Sequence, residues 1–159
     1  MLRTLVTLTL ENHMPISPII LLKGEGHSLQ VLADRIRILA GAEQTASKYE
    51  VFELSGLEGS GPPPHSHPWD EAYFMLEGEV EVVIAGQSHR ATAGNFFLAP
   101  GDTVHCFRIV GESARFLVFT SGAGAGNFFR AMDREIGFPP PSFDNVCSVA
   151  IRQGLTLAA

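Results

Sequence analysis

An all-β domain, a barrel or sandwich of short strands followed by a helical extension, is the fold class this sequence predicts. Three observations carry that expectation. Apolar and polar residues alternate in short runs from His27 to Phe119, glycine- and proline-bearing turns separate the runs, and helical spacing begins only after Gly122. With 159 residues the chain suits one domain that can bury a core. It is too short for a duplicated two-barrel arrangement, and no internal repeat or linker interrupts it.

The elements follow in order. At the start, Leu2, Val6, Leu8 and Leu10 share one face and Arg3, Thr7 and Thr9 the other, which is strand periodicity. Such a strand needs a neighbour, either within its own chain or in a second copy, so a homodimer contact through Leu2 to Leu10 is expected. Met14 offers a second possible start to the chain. The runs SLQVL, DRIRILAG, SKYEVFELSG, AYFMLEGEVEVVIAG, QSHRATAG, NFFLAPGD, TVHCFRIVG and ARFLVFTSG read as strands. In the long one, Val80, Val82 and Ile84 face one way, and Glu79, Glu81 and Val83 the other. After Gly122, Phe128, Phe129, Met132 and Ile136 recur at helical spacing until Gly137 and three prolines stop the pattern. A second short helix is expected from about Asp144 to Gln153, with Val146, Val149 and Ala150 on its apolar side. The expected organisation is an N-terminal strand extension over 1–26, a barrel over 27–121 and a helical segment over 122–159 packed on the barrel.

Composition excludes several function classes. A formal charge of -6 gives no broad basic field, so nucleic acid is not an expected partner. No apolar run reaches the roughly 20 residues of a membrane-spanning helix. The opening apolar stretch is broken by threonines and lacks a small-residue cleavage site, so it does not read as a secretory signal. The two cysteines, Cys106 and Cys147, have neither CxxC spacing nor the density of a disulfide scaffold, which suits reduced thiols in a cytoplasm.

Chemistry concentrates in GPPPHSHPWDE, residues 61–71. His65 and His67 alternate along an extended segment, so their imidazoles point to one side. Pro62, Pro63 and Pro64 hold the approach extended, and Pro68 restricts His67. Glu71 follows at an even offset and returns to the same face. His105 stands on a later strand. Three imidazoles and one carboxylate suit one divalent transition metal of intermediate softness: iron, manganese, nickel, copper or zinc. His13, His27 and His89 have no partners at ligand spacing. Cys106, beside His105 on a strand, faces away from it.

These residues resemble the cupin family. Gly59, His65, His67, Glu71 and Gly78 fit the first cupin motif throughout, and Gly94, Pro100 and His105 fit the second. Asp102 replaces the usual inner glycine, and Ile109 an asparagine that often follows. The resemblance spans roughly residues 28 to 120. It implies a double-stranded β-helix, or jelly-roll, barrel and a metal held by His65, His67, Glu71 and His105. Within the family, the layout with a C-terminal helix carrying NFFRAM looks like the quercetin dioxygenase-like single-barrel proteins.

Four protein ligands on a metal that prefers six leave two positions for small molecules. Strand parity turns Tyr73, Met75 and Phe107 inward as candidate substrate contacts and Arg108 outward, so no inward arginine awaits a dicarboxylate such as oxalate. The expected function is a metal-dependent dioxygenase acting on a small aromatic or enolic compound, with Glu71 both ligand and proton acceptor. A metal-dependent module that binds or senses a small ligand without catalysis is the alternative. A sugar isomerase or epimerase is a third reading.

Overall fold

The computed structural model describes residues 16–137, 139–140 and 142–158. The strand expected over Leu2 to Leu10 lies outside the described residues, as do His13 and Met14. Strands β1 (Ser28–Val31) and β2 (Asp34–Ala40) form a hairpin, and a single helical turn, α1 (Ala42–Thr45), leads into β3 (Tyr49–Leu57). Then come β4 (His65–Ser66), β5 (Glu71–Ile84), β6 (Gln87–Thr92), β7 (Phe96–Ala99) and the long β8 (His105–Ser121). Helices α2 (Gly124–Glu135) and α3 (Phe143–Arg152) follow, and β9 (Thr156–Leu157) closes the chain.

All nine strands among the described residues belong to one hydrogen-bonded sheet, in which β5 and β8 pair antiparallel along their whole lengths from Glu71↔Thr120 to Ile84↔His105. These two strands carry the chain around the jelly roll. TVHCFRIVG and ARFLVFTSG, expected as separate runs, are the two halves of β8. On β5 the buried positions switch from Glu71, Tyr73 and Met75 to Val80 and Val82, and on β8 from His105, Phe107 and Ile109 to Ala114, Phe116 and Val118. A change from odd to even numbers in a period-two element requires an irregularity, and the β5–β8 register shifts between Met75 and Glu79. Gly78 sits there with φ +76, and a Cβ on it would lie 2.0 Å from the Ser113 carbonyl oxygen. Gly78→Ala is expected to destabilise the fold by about 2 kcal/mol or more through combined backbone strain and overpacking. Chemical denaturation checks this, and an unchanged midpoint would count against the bend requiring glycine.

Both expected helices form. Phe129, Met132 and Ile136 are buried, and Phe129 meets Phe52 of β3 edge to face at 5.0 Å. Each such side chain contributes about 1.5–3 kcal/mol by leaving water. Glu50 on β3 is completely buried. Its carboxylate accepts from the Gly126 N–H at 2.8 Å and the Ala42 N–H at 3.3 Å, so a negative group caps the first turn of α2. Ser142 caps α3 by accepting from the Asn145 N–H. Neither helix, nor any other among the described residues, is long and apolar enough to cross a membrane.

Candidate metal centre

Four residues, three of them on strands and one just past a strand end, converge. His65 stands on β4 directly opposite His105 of β8, and His105 is also opposite Ile84 of β5. His67 follows just beyond β4, and Glu71 is the first residue of β5. All four are buried, and one ligand atom from each lies within 4.8 Å of all the others. No other cluster of this kind occurs among the described residues.

The local chain explains the convergence. Gly61, with φ +140, passes so close to β8 that a Cβ there would lie 2.0 Å from the Phe107 carbonyl oxygen. The prolines then carry the segment to His65, where the short β4 is held on its far side by β9 through His65↔Leu157 and Ser66↔Thr156. Beyond the histidines, Trp69 stacks on the His67 ring at 4.2 Å with an interplanar angle of 8°. Gly124 at the start of α2 backs that indole, and a Cβ on it would come within 2.3 Å of the ring. At the second motif, Asp102 adopts the left-handed conformation, φ 62, that the usual glycine would supply, and its N–H donates to the His67 carbonyl at 2.7 Å. Asp70 fastens the same turn by accepting from the Gly101 N–H at 2.9 Å. The departure from the motif therefore keeps the turn.

The donor set fits a metal. Each histidine directs Nδ1 at a backbone carbonyl: His65 at Pro63, 2.9 Å; His67 at Trp69, 2.9 Å; His105 at Thr103, 2.8 Å. A carbonyl only accepts, so each Nδ1 carries a hydrogen and donates it. That leaves the Nε2 lone pairs free, as ligation requires. Yet His67 Nε2 lies 2.8 Å and His105 Nε2 3.2 Å from Glu71 Oε2. Lone pairs facing a carboxylate at those distances call for positive charge among them, and a divalent cation satisfies all four groups together.

A proton can stand in for that cation, and the electrostatics show the same demand for positive charge beside Glu71. Burial pushes the Glu71 carboxyl up, but hydrogen bonds and positive charge from His105 and His67 outweigh it and hold the group well below the usual carboxylate range. Burial, helped by the neighbouring His105, lowers His65 to about 4. His105 rises because the hydrogen bond and charge of Glu71 outweigh its burial. The site favours a deprotonated imidazole at His65 and an ionised carboxylate at Glu71, and a metal held by His105 would displace the proton that Glu71 favours there.

A cavity of about 290 Å³ opens on this cluster. His65, His67 and Glu71 form part of its lining, together with two of the expected contacts, Tyr73 and Phe107. Met75 is inward and fully buried but is not among the lining residues, because the core behind the cavity encloses it. Burial and then the nearby Glu71 charge raise the Tyr73 phenol, keeping it neutral. Arg108 points outward, His27 and His89 are exposed, and Cys106 contributes no donor to the cluster. Sequence reasoning missed the other wall. Phe128, Phe129 and Met132 of α2 and Val146 and Cys147 of α3 close the cavity opposite the strands, with Asp34 and Ser60 at its edge. The helical spacing marked an apolar face on each helix, but nothing in the sequence said that the faces border a cavity.

Comparison with known proteins places this architecture. The family profile described as Cupin domain matches residues 56–120, which include all four converging residues. Quercetin 2,3-dioxygenase of Bacillus subtilis (strain 168) is 24% identical over 113 residues, 70% of this chain but 34% of that protein. The chain thus spans about a third of the length of this curated relative. Among solved structures, KdgF from Halomonas sp. superposes with a TM-score of 0.61 at 19% identity, covering 67% of this chain and 94% of that one. A predicted oxalate decarboxylase from Thermotoga maritima gives 0.61 at 18% identity, covering 65% and 99%. At such identities the solved structures speak for the fold. The profile match, both motifs and the jelly roll agree that residues 56–120 carry a cupin domain and that the chain has the cupin fold.

Proposed function

We propose that the chain is a metal-dependent dioxygenase acting on a small aromatic or enolic compound. The carrying observation is a single three-histidine, one-carboxylate donor set buried at an apolar, aromatic cavity. When bound by His65, His67, Glu71 and His105, a divalent transition metal (iron, manganese, nickel, copper or zinc) supplies Lewis-acid polarisation of a substrate oxygen and a template for a second small molecule. The chain's own residues do the rest. Phe107, Tyr73 and the helix-borne phenylalanines present ring faces and edges to a flat apolar substrate and exclude water from it. Glu71 turns Oε2 toward the Nε2 atoms of His67 and His105, where the cation would be held, so proton acceptance from a substrate hydroxyl falls to Oε1. The name of the Bacillus relative supports the reading. So does the absence of any lysine or arginine from the lining among the described residues, which disfavours small dianions.

Oxygen uptake by the metal-replete protein, surveyed across phenolic and enolic compounds, tests the reaction. Uptake above the metal-free control with at least one of them is expected. Binding without uptake across the survey would overturn catalysis and leave a small-ligand binding module. The two cysteines are free, as a reducing cytoplasm would keep them.

A homodimer belongs to the same reading. On the outer side of the sheet, Phe74 of β5 is opposite Phe96 of β7, while Leu98 and Phe119 flank Ala72, and all four large side chains are exposed. Contiguous apolar surface of this kind marks an interaction face. Light scattering on the whole protein should give twice the chain mass, and Phe96→Glu should lower it. A monomeric mass for the unaltered protein would end the proposal. Removal of residues 1–13 measures separately what the expected N-terminal strand contributes.

A further inference from the structure

The cavity holds a polar group that metal binding does not use. Asp34, the first residue of β2, is 7% exposed and lines the cavity. Its Oδ1 accepts from the Ser60 hydroxyl at 2.6 Å, which ties the β1–β2 hairpin to the segment leading into the histidines. Gly56 makes room for the pair, since a Cβ there would lie 2.1 Å from Asp34 Oδ1 and 2.5 Å from Ser60 Oγ. Among the described residues Oδ2 takes no hydrogen bond, and since it is not one of the fully buried unpaired polar atoms it keeps accessible surface in the cavity that Asp34 lines. No lysine or arginine among the described residues lines the cavity to neutralise the charge.

Tying the two segments together uses only Oδ1, and a charged oxygen that is largely withdrawn from water with no protein partner still costs free energy. Burial raises the Asp34 carboxyl above its ordinary 3.8, with the Ser60 bond only partly opposing it. A raised folded-state value means that stability falls as pH rises from about 3.8 through that value. Ionised, Asp34 lowers the stability of the fold, and groups retained at such a cost in a cavity are candidates for ligand recognition.

We propose that Asp34, oriented by Ser60, accepts a hydrogen bond from a second polar group of the substrate, a hydroxyl or ammonium distinct from the oxygen that meets the histidine cluster. This rests on the aromatic or enolic reading above and narrows it: the substrate is a non-anionic aromatic with a hydrogen-bond-donating substituent. A carboxylate substituent is excluded, because it would face Asp34 with no cation between them.

Calorimetric titration of the zinc-loaded protein, in which turnover does not intervene, tests this with four catechols that differ only in their tails: dopamine, hydroxytyrosol, ethylcatechol and dihydroxyphenylacetate. Dopamine and hydroxytyrosol are expected to bind more tightly than ethylcatechol, by about tenfold for the ammonium, and dihydroxyphenylacetate most weakly. Asp34→Asn should cut the ratio of dopamine to dihydroxyphenylacetate affinity about tenfold or more. A general loosening of the cavity moves all four together and leaves the ratio alone. If Asp34→Asn does not fold, Ser60→Ala, which frees the carboxylate to turn, should narrow the same ratio severalfold. An unchanged ratio in whichever variant folds overturns the proposal. If no catechol binds, the enolic reading fails by itself. Asp34 is then judged with the same tails on a plain phenyl ring, where phenethylamine preferred over phenylacetate and equalised in the variant supports it, and no preference overturns it.

Discussion

Loaded with metal and then dialysed, the unaltered protein should retain about one transition-metal ion per chain, while His65→Ala or His105→Ala should lose most of theirs. Removing the Nδ1 partner of a ligating histidine typically costs about 10–100-fold in metal affinity, and deleting the imidazole itself should cost more. His105→Ala also takes away one of the two imidazoles that face the buried Glu71 carboxylate. The two histidines face each other across β4 and β8, their rings 4.6 Å apart, so either deletion opens the same side of the cluster. Elemental analysis gives the stoichiometry and the metal's identity at once. Full occupancy at the cluster in both variants would overturn the ligand assignment. Iron or copper would favour oxygen chemistry, and zinc would favour hydrolysis, isomerisation or a structural role.

With metal occupancy matched to that of the unaltered protein, Glu71→Gln should bind substrate but turn over about 100–10,000-fold more slowly, the range that general-base catalysis spans. The substitution keeps one oxygen for coordination and removes the charge that can take a proton. Matching occupancy separates the two roles, since a ligand loss alone lowers metal content and rate together. Undiminished turnover in the fully metallated variant would return Glu71 to plain coordination. A carboxylate that also faces a divalent cation would be a weak base by itself. A proton acceptor of that kind works only on a hydroxyl already acidified by the metal, so the rate should rise across a substrate series as the reacting hydroxyl becomes more acidic.

The donor set was legible because the rules that build it are local. Alternation along an extended segment aligns His65, His67 and Glu71, and proline fixes the approach without reference to anything distant. The same parity correctly turned Tyr73 and Phe107 inward and Arg108 outward. It brought Met75 inward too, but parity gives a face and not a depth, and Met75 belongs to the packed core behind the cavity. The continuity of β8 was hidden by the Gly111 to Ser113 stretch, which looks like a turn between two strands and is a bend within one.

By itself the sequence determined an all-β fold, its two C-terminal helices and the four residues that converge on one point. The tertiary structure decided what surrounds that point. Asp34 meets Ser60, Glu50 caps a helix 76 residues further on, Gly124 backs Trp69, and β9 braces the strand of His65. Each of these contacts depends on how segments far apart in the chain are brought together, whereas a period of two or 3.6 residues records only which side of its own element a residue occupies. A face can be read from neighbours in sequence, but the wall of a cavity exists only after the sheet has folded over and the helices have packed against it.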